Sequence, residues 1–110
     1  MKPEAVPQAE GYFENAETAV QDELSRARRL HPDWPIDPVH AAAIVAEEAG
    51  ELVRAVLRYV YEGKSILEVR TEAVQVGAMA ARFIEHLDYY WPDKADQVRS
   101  PATRWELDHN

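Results

Sequence analysis

The residues best suited to chemistry are Glu47, Glu48 and Glu51, in the run Ala46-Glu47-Glu48-Ala49-Gly50-Glu51-Leu52, and Glu72 with Gln75, in Glu72-Ala73-Val74-Gln75. Carboxylates set among alanines, valines and leucines oppose folding unless something uses them. An ionised carboxylate in apolar surroundings destabilises by several kcal/mol or more unless it is paired or bound to a cation. Two of them brought together also repel and raise at least one pKa. Oxygen donors on facing helices, with no sulfur and no obligatory histidine, suit a hard cation such as magnesium or manganese.

Three helices are expected to position these groups. The first starts near Asn15 and runs to Leu30, with Ala16, Val20, Leu24 and Ala27 at helical spacing. Its other face, holding Gln21, Glu23, Arg26 and Arg28, reads as solvated. Pro32, Pro35 and Pro38 then forbid regular helix and set a rigid turn around Trp34. Trp34 reads as a plug under the following hairpin or as a platform for a base. Asp37 before Pro38 is a strong helix start, a side-chain acceptor followed by proline in the first helical position. The second helix is expected over 38–61, stopped by Gly63, and the third opens at Ser65 with Glu68 in capping-box spacing and continues to Tyr90, before Pro92. A loop of only 62–64 forces the two long helices to lie antiparallel and adjacent. Residues 1–13 read as a loose arm, with Tyr12 and Phe13 as possible anchors. Residues 92–110 form a polar tail, apart from Val98 and Trp105, either disordered or laid across a partner subunit.

Helical faces follow from 100° per residue. On the second helix Val39, Ala42, Ala43, Ala46, Gly50, Val53, Leu57 and Val60 form one stripe, whose small residues let another helix approach closely. His40, Glu47, Arg54 and Arg58 form the polar sector, and Glu51 lies at its border. Glu48 falls instead among Ala41, Ile44, Leu52 and Ala55. On the third helix the core stripe reads Ile66, Val69, Ala73, Val76, Gly77, Ala80, Ile84 and Leu87, with Glu72 beside Val76, Met79 and Phe83. Measured from the loop, the two acidic clusters differ in level by roughly 6 Å, which glutamate side chains and helix tilt can span. On geometry alone two readings stand side by side: a cation site, or ion pairs from Glu48 and Glu72 to arginines of a partner subunit. His40 and His86 sit on polar faces, and His31 and His109 in turn or tail, so all four read as solvated before they read as ligands.

Composition narrows the classes of function. The 110 residues make one domain, and a helical chain of this size often completes its core by oligomerising. A formal net charge of −8 and the lack of a basic stripe oppose a duplex nucleic-acid partner. No run reads as a membrane span or a secretory leader, and the absence of cysteine removes disulfides and thiolate sites, so a cytoplasmic protein is expected.

Glu47-Glu48-Ala49-Gly50-Glu51-Leu52 followed by Glu72-x-x-Gln75 resembles the MazG-like all-alpha nucleoside triphosphate pyrophosphohydrolases. Their signature is Glu-Glu-x-x-Glu, a variable gap, then Glu-x-x-Asp. The likeness runs over residues 24–87 and takes in the Trp34 turn and His40-Ala41-Ala42-Ala43, which is similar to small phage and bacterial members. It implies an all-α fold in which the hairpin and the N-terminal helix complete a four-helix-type bundle as a homodimer or homotetramer. The implied reaction is metal-dependent hydrolysis of a nucleoside triphosphate to the monophosphate and pyrophosphate. Carried over, the magnesium or manganese ligands are Glu48, Glu51, Glu72 and Gln75. An unligated carboxylate, Glu47 or Glu51, would accept the proton of the attacking water. Arg58, Lys64 and Arg82 would help to bind phosphates, and Trp34 the base. The sequence departs from the pattern at Gln75, whose amide brings no negative charge and cannot act as a general base. Two other functions therefore stand beside the enzyme: a MazG-like protein that binds nucleotide or metal without turnover, and a structural helical dimerisation module.

Overall fold

The computed structural model describes residues 15–91; the expected arm at 1–13 and tail at 92–110 lie outside them. The described chain is all-helical, with α1 (Ala16–Leu30), α2 (Pro38–Glu62), α3 (Ile66–Glu85) and a short α4 (Leu87–Tyr90). The helix starts follow from their side-chain caps. Asn15 accepts from the Glu17 and Thr18 backbone N–H groups, Asp37 from that of Val39 ahead of Pro38, and Ser65 Oγ from that of Leu67. Gly63 stops α2 in the left-handed region, φ 67°, where its N–H reaches the Arg58 carbonyl. The reversal between α2 and α3 is therefore only 63–65, and the two helices pack along each other while α1 lies against α3.

The third helix ends earlier than its apolar pattern predicts. It stops at Glu85, and His86 separates it from α4. The His86 ring accounts for the break: its Nδ1 donates to the Arg82 carbonyl at 2.7 Å, while its backbone N–H shifts to the Phe83 carbonyl at 3.2 Å. A side chain that takes the acceptor four residues back competes with the helix ladder. Past the break, the Tyr90 hydroxyl donates to the Pro35 carbonyl at 2.7 Å and ties α4 to the proline-rich turn.

On α1 the core uses Leu24 and Ala27 of the expected stripe, but on α2 it sits on a different face. Leu24, Ala27, Ala78 and Met79 form its centre, with Trp34, Ile44, Val45 and Ala81 packed against it. On α2 the residues buried within the chain are Ala41 and Ala55, which flank Glu48, whereas Val39, Val53, Leu57 and Val60 of the predicted stripe are exposed. On α3 Ile66, Ala73 and Ile84 are exposed, and Gly77 faces α1 so closely that a Cβ there would meet Val20 Cγ2 at 2.9 Å. The second helix is apolar on two sides. One side closes the hairpin, and the larger side chains remain on the outside.

Candidate metal centre

Glu48 enters the hairpin because it lies on the α2 face that contains Ala41 and Ala55, the two most buried positions of that helix. Glu72 approaches it from α3, and both side chains are half-buried. Their carboxyl groups meet, with hydrogen bonding between them. Burial pushes the Glu48 pKa upward, and the charges of Glu72 and Glu51, the hydrogen bond with Glu72 and the charge of Glu47 push it further the same way. No protein cation enters among these influences. The raised pKa favours the state in which Glu48 keeps its proton and donates it to the Glu72 carboxylate, which avoids two like charges in contact. The difference in level between the two clusters is thus bridged by the side chains.

The remaining predicted residues divide between two cavities. Glu51, Arg54, Arg58, Glu68 and Glu72 line one of about 400 Å³ near the loop end of the hairpin. Glu48, Gln75, Trp34 and Arg82 line another, of about 310 Å³, between α1, the proline turn and α3. Glu48 and Glu72 therefore stand at the partition between them. Glu47 is exposed on α2 and Lys64 is exposed in the loop.

Gln75 turns towards α1. Its Nε2 donates to Glu23 Oε1 at 2.7 Å, and the same oxygen takes Arg26 Nη1 at 2.9 Å. Glu23, read from the sequence as part of a solvated face, has only 15 % of its side chain exposed and lines the same cavity as Glu48. Arg28 of that face pairs with Glu85 of α3. The missed signal is Ala19-x-x-x-Glu23-x-x-x-Ala27. Both alanines are buried, so the residue midway between them at helical spacing must face α3 as well.

Arg82 is 4 % exposed, the only charged side chain among the described residues to be fully buried. Its Nη2 donates to the His31 carbonyl at 2.9 Å, its Nε has no acceptor, and it forms no ion pair among the described residues. Burial lowers its pKa, and the charge of Arg28 adds to that. Its guanidinium lies over the Trp34 ring, 4.8 Å from the centroid, and His86 stacks on Trp34 at 5.8 Å. Trp34 is thus packed against α3 and the core, with its Nε1 buried and unpaired. Neither His86 nor Trp34 presents a free ring to the carboxylates.

Among the described residues no three His, Asp or Glu side chains are gathered into one group able to hold a metal ion; the acids that meet are the pair Glu48 and Glu72. That pair still fits magnesium or manganese by its chemistry. Such ions are commonly held by one or two carboxylates, with waters and substrate phosphates completing the shell. A half-buried pair of facing carboxyl groups is an arrangement that a divalent ion relieves. Comparison with protein-family models, with curated proteins and with solved structures finds no match for this chain. No helix among the described residues is long and apolar enough to cross a membrane.

Proposed function

We propose that this chain is a MazG-like nucleoside triphosphate pyrophosphohydrolase that uses magnesium or manganese. The observation that carries this reading is the Glu48–Glu72 contact inside the hairpin, with Glu51 and Glu47 adding their charge and no cation among the influences on Glu48. The motif spacing supports a shared purpose for the acids, and the partial burial of Glu48 and Glu72 makes an ion favourable there.

When bound, the cation neutralises the triphosphate and activates the attacking water. Glu48 and Glu72 would hold the ion, with Glu51 and Gln75 drawn in at the edge of the set. Glu47 or Glu51 accepts the water's proton. Water attacks the α-phosphorus, the bond to the β-phosphate oxygen breaks, and pyrophosphate leaves. Arg58, which with Arg54 shares a cavity with Glu51 and Glu72, would bind phosphate oxygens, and Lys64 of the nearby loop would assist. Arg82 and Trp34 wall the second cavity, where the nucleoside is held. A cytoplasmic location and a small-molecule partner, with no nucleic acid and no membrane, belong to the same reading.

The assembly proposed with this reading is a homodimer, or a tetramer of two such dimers. Val39, Val53, Leu57 and Val60 on α2 and Ile66 and Ile84 on α3 are exposed apolar residues that a second hairpin would cover to complete a four-helix bundle. Binding without turnover is the second reading, and the engagement of Gln75 with Glu23 favours it, because that amide neither adds charge nor accepts a proton. Release of pyrophosphate from nucleoside and deoxynucleoside triphosphates, with magnesium or manganese, tests the first reading; cation binding without product on any substrate supports the second.

A further inference from the structure

Resting on the cation-site reading above, we propose that Glu23 of α1 is a positioning residue that carries the charge absent from position 75. Glu23 and Gln75 then work as one exchangeable carboxylate–amide pair beside Glu48. The two residues meet across α1 and α3 at 2.7 Å, and Glu23 is held there with most of its side chain covered. An ionised carboxylate only accepts hydrogen bonds, so the amide must donate through Nε2, and Glu23 thereby sets which way the Gln75 amide faces. A carboxylate at position 75 would meet a second carboxylate at hydrogen-bond distance in a half-buried setting, where like charges are costly. The amide at 75 is therefore the complement of Glu23. Arg26, bound to the same Glu23 oxygen, limits the cost of keeping that charge in place.

A separate observation bears on the cavity beside this pair. Arg82 also lines it, buried, with its Nε unpartnered and no ion pair among the described residues. A buried guanidinium on one wall and carboxylates on another suit a ligand that carries both signs, as a cation–phosphate complex does.

The experiment compares four full-length proteins: the wild type, Glu23→Gln, Gln75→Glu and the double exchange Glu23→Gln/Gln75→Glu. Manganese affinity is measured by titration calorimetry, and melting temperature without metal by circular dichroism. The expected result is that the wild type binds manganese and Glu23→Gln binds about tenfold or more weakly, as for other residues that orient metal ligands. Gln75→Glu alone lowers the metal-free melting temperature, and the double exchange restores both that temperature and manganese affinity. A purely structural role for Glu23 would not give back cation affinity when the charge changes helix. Undiminished manganese binding by Glu23→Gln overturns the proposal while leaving the cation site intact. Failure of the wild type to bind manganese overturns the cation reading and the proposal with it. If Glu23→Gln does not fold, the double exchange, which keeps one carboxylate against one amide, must fold and bind; its failure overturns the proposal too.

Discussion

The carboxyl groups of Glu48 and Glu72 meet inside the α2–α3 hairpin, where Glu72 raises the cost of ionising Glu48, although each sits on a helix whose exposed face had room for it. Burial is the largest cause of the raised Glu48 pKa, with the neighbouring acids adding to it. Ionising Glu48 in this setting costs the fold stability, which a bound cation or a neutral substitution is expected to restore.

The pH dependence of the metal-free protein follows from that direction. Below 4.5, the ordinary carboxylate value, Glu48 is protonated in both folded and unfolded chains and imposes no penalty. As pH rises from there through the raised folded-state pKa, the unfolded chain has released a proton that the folded chain still binds, and stability falls. Glu48→Gln should melt higher than the wild type without metal, and the gap should open across that window. Melting curves from acid to neutral pH check this. A large drop in melting temperature for Glu48→Gln would mean that Glu48 has a protein cation as its partner.

Cation binding should reverse the penalty. Millimolar magnesium or manganese is expected to raise the wild-type melting temperature, with stabilisation of about 2.7 kcal/mol when the ion is at a hundred times its dissociation constant. The effect should be larger at neutral than at acid pH, because the ligands must lose their protons. It should be absent in Glu72→Gln. A melt unchanged by either ion would favour plain structural pairing of the acids.

Gly77 tests how α1 is docked. A methyl group there meets Val20 Cγ2 at 2.9 Å. Overpacking costs about 1–3 kcal/mol, against about 1 kcal/mol regained in helix propensity, so Gly77→Ala should lower the melting temperature. Val20→Ala in the same chain should recover it. A higher melting temperature for Gly77→Ala alone would show that α1 yields at this contact.

The assembly is tested at Val53, which is 58 % exposed on the outer side of α2. Val53→Glu removes no contact of the described chain's core, and if the wild type assembles through this face as proposed, the variant should be monomeric in light scattering at micromolar concentration. Helix content should be retained in the monomer. An unchanged mass would place the subunit contact elsewhere.

The helices, their caps and the intrusion of Glu48 and Glu72 on apolar surface were legible because they rest on local rules: Asp37-Pro38, Gly63, Ser65 and a 3.6-residue period. The choice of buried face was less legible. With apolar residues on two sides of α2, periodicity cannot tell the side that closes the hairpin from the side left outside, and the bulkier stripe through Val53 and Leu57 drew the reading outward. Glu23 was hidden because Arg26 and Arg28 share its polar sector, while the alanines on either side of it gave only a weak hydrophobic signal. The break at His86 depends on a side-chain hydrogen bond to the Arg82 carbonyl, which no pattern of apolar residues encodes. The sequence offers Arg82 as a helper for phosphates; its burial against Trp34 follows only once the turn is folded over α3.

The central claim is that Glu48 and Glu72 hold a cation that serves triphosphate hydrolysis. Its most direct test is pyrophosphate release from a panel of nucleoside and deoxynucleoside triphosphates with magnesium or manganese, comparing the wild type with Glu48→Gln. The account predicts monophosphate and pyrophosphate from at least one of them, with the rate reduced about a hundredfold or more in Glu48→Gln, the upper end of what even outer-shell partners of a metal cost. No pyrophosphate from any substrate with either ion, or equal release by Glu48→Gln, would contradict it.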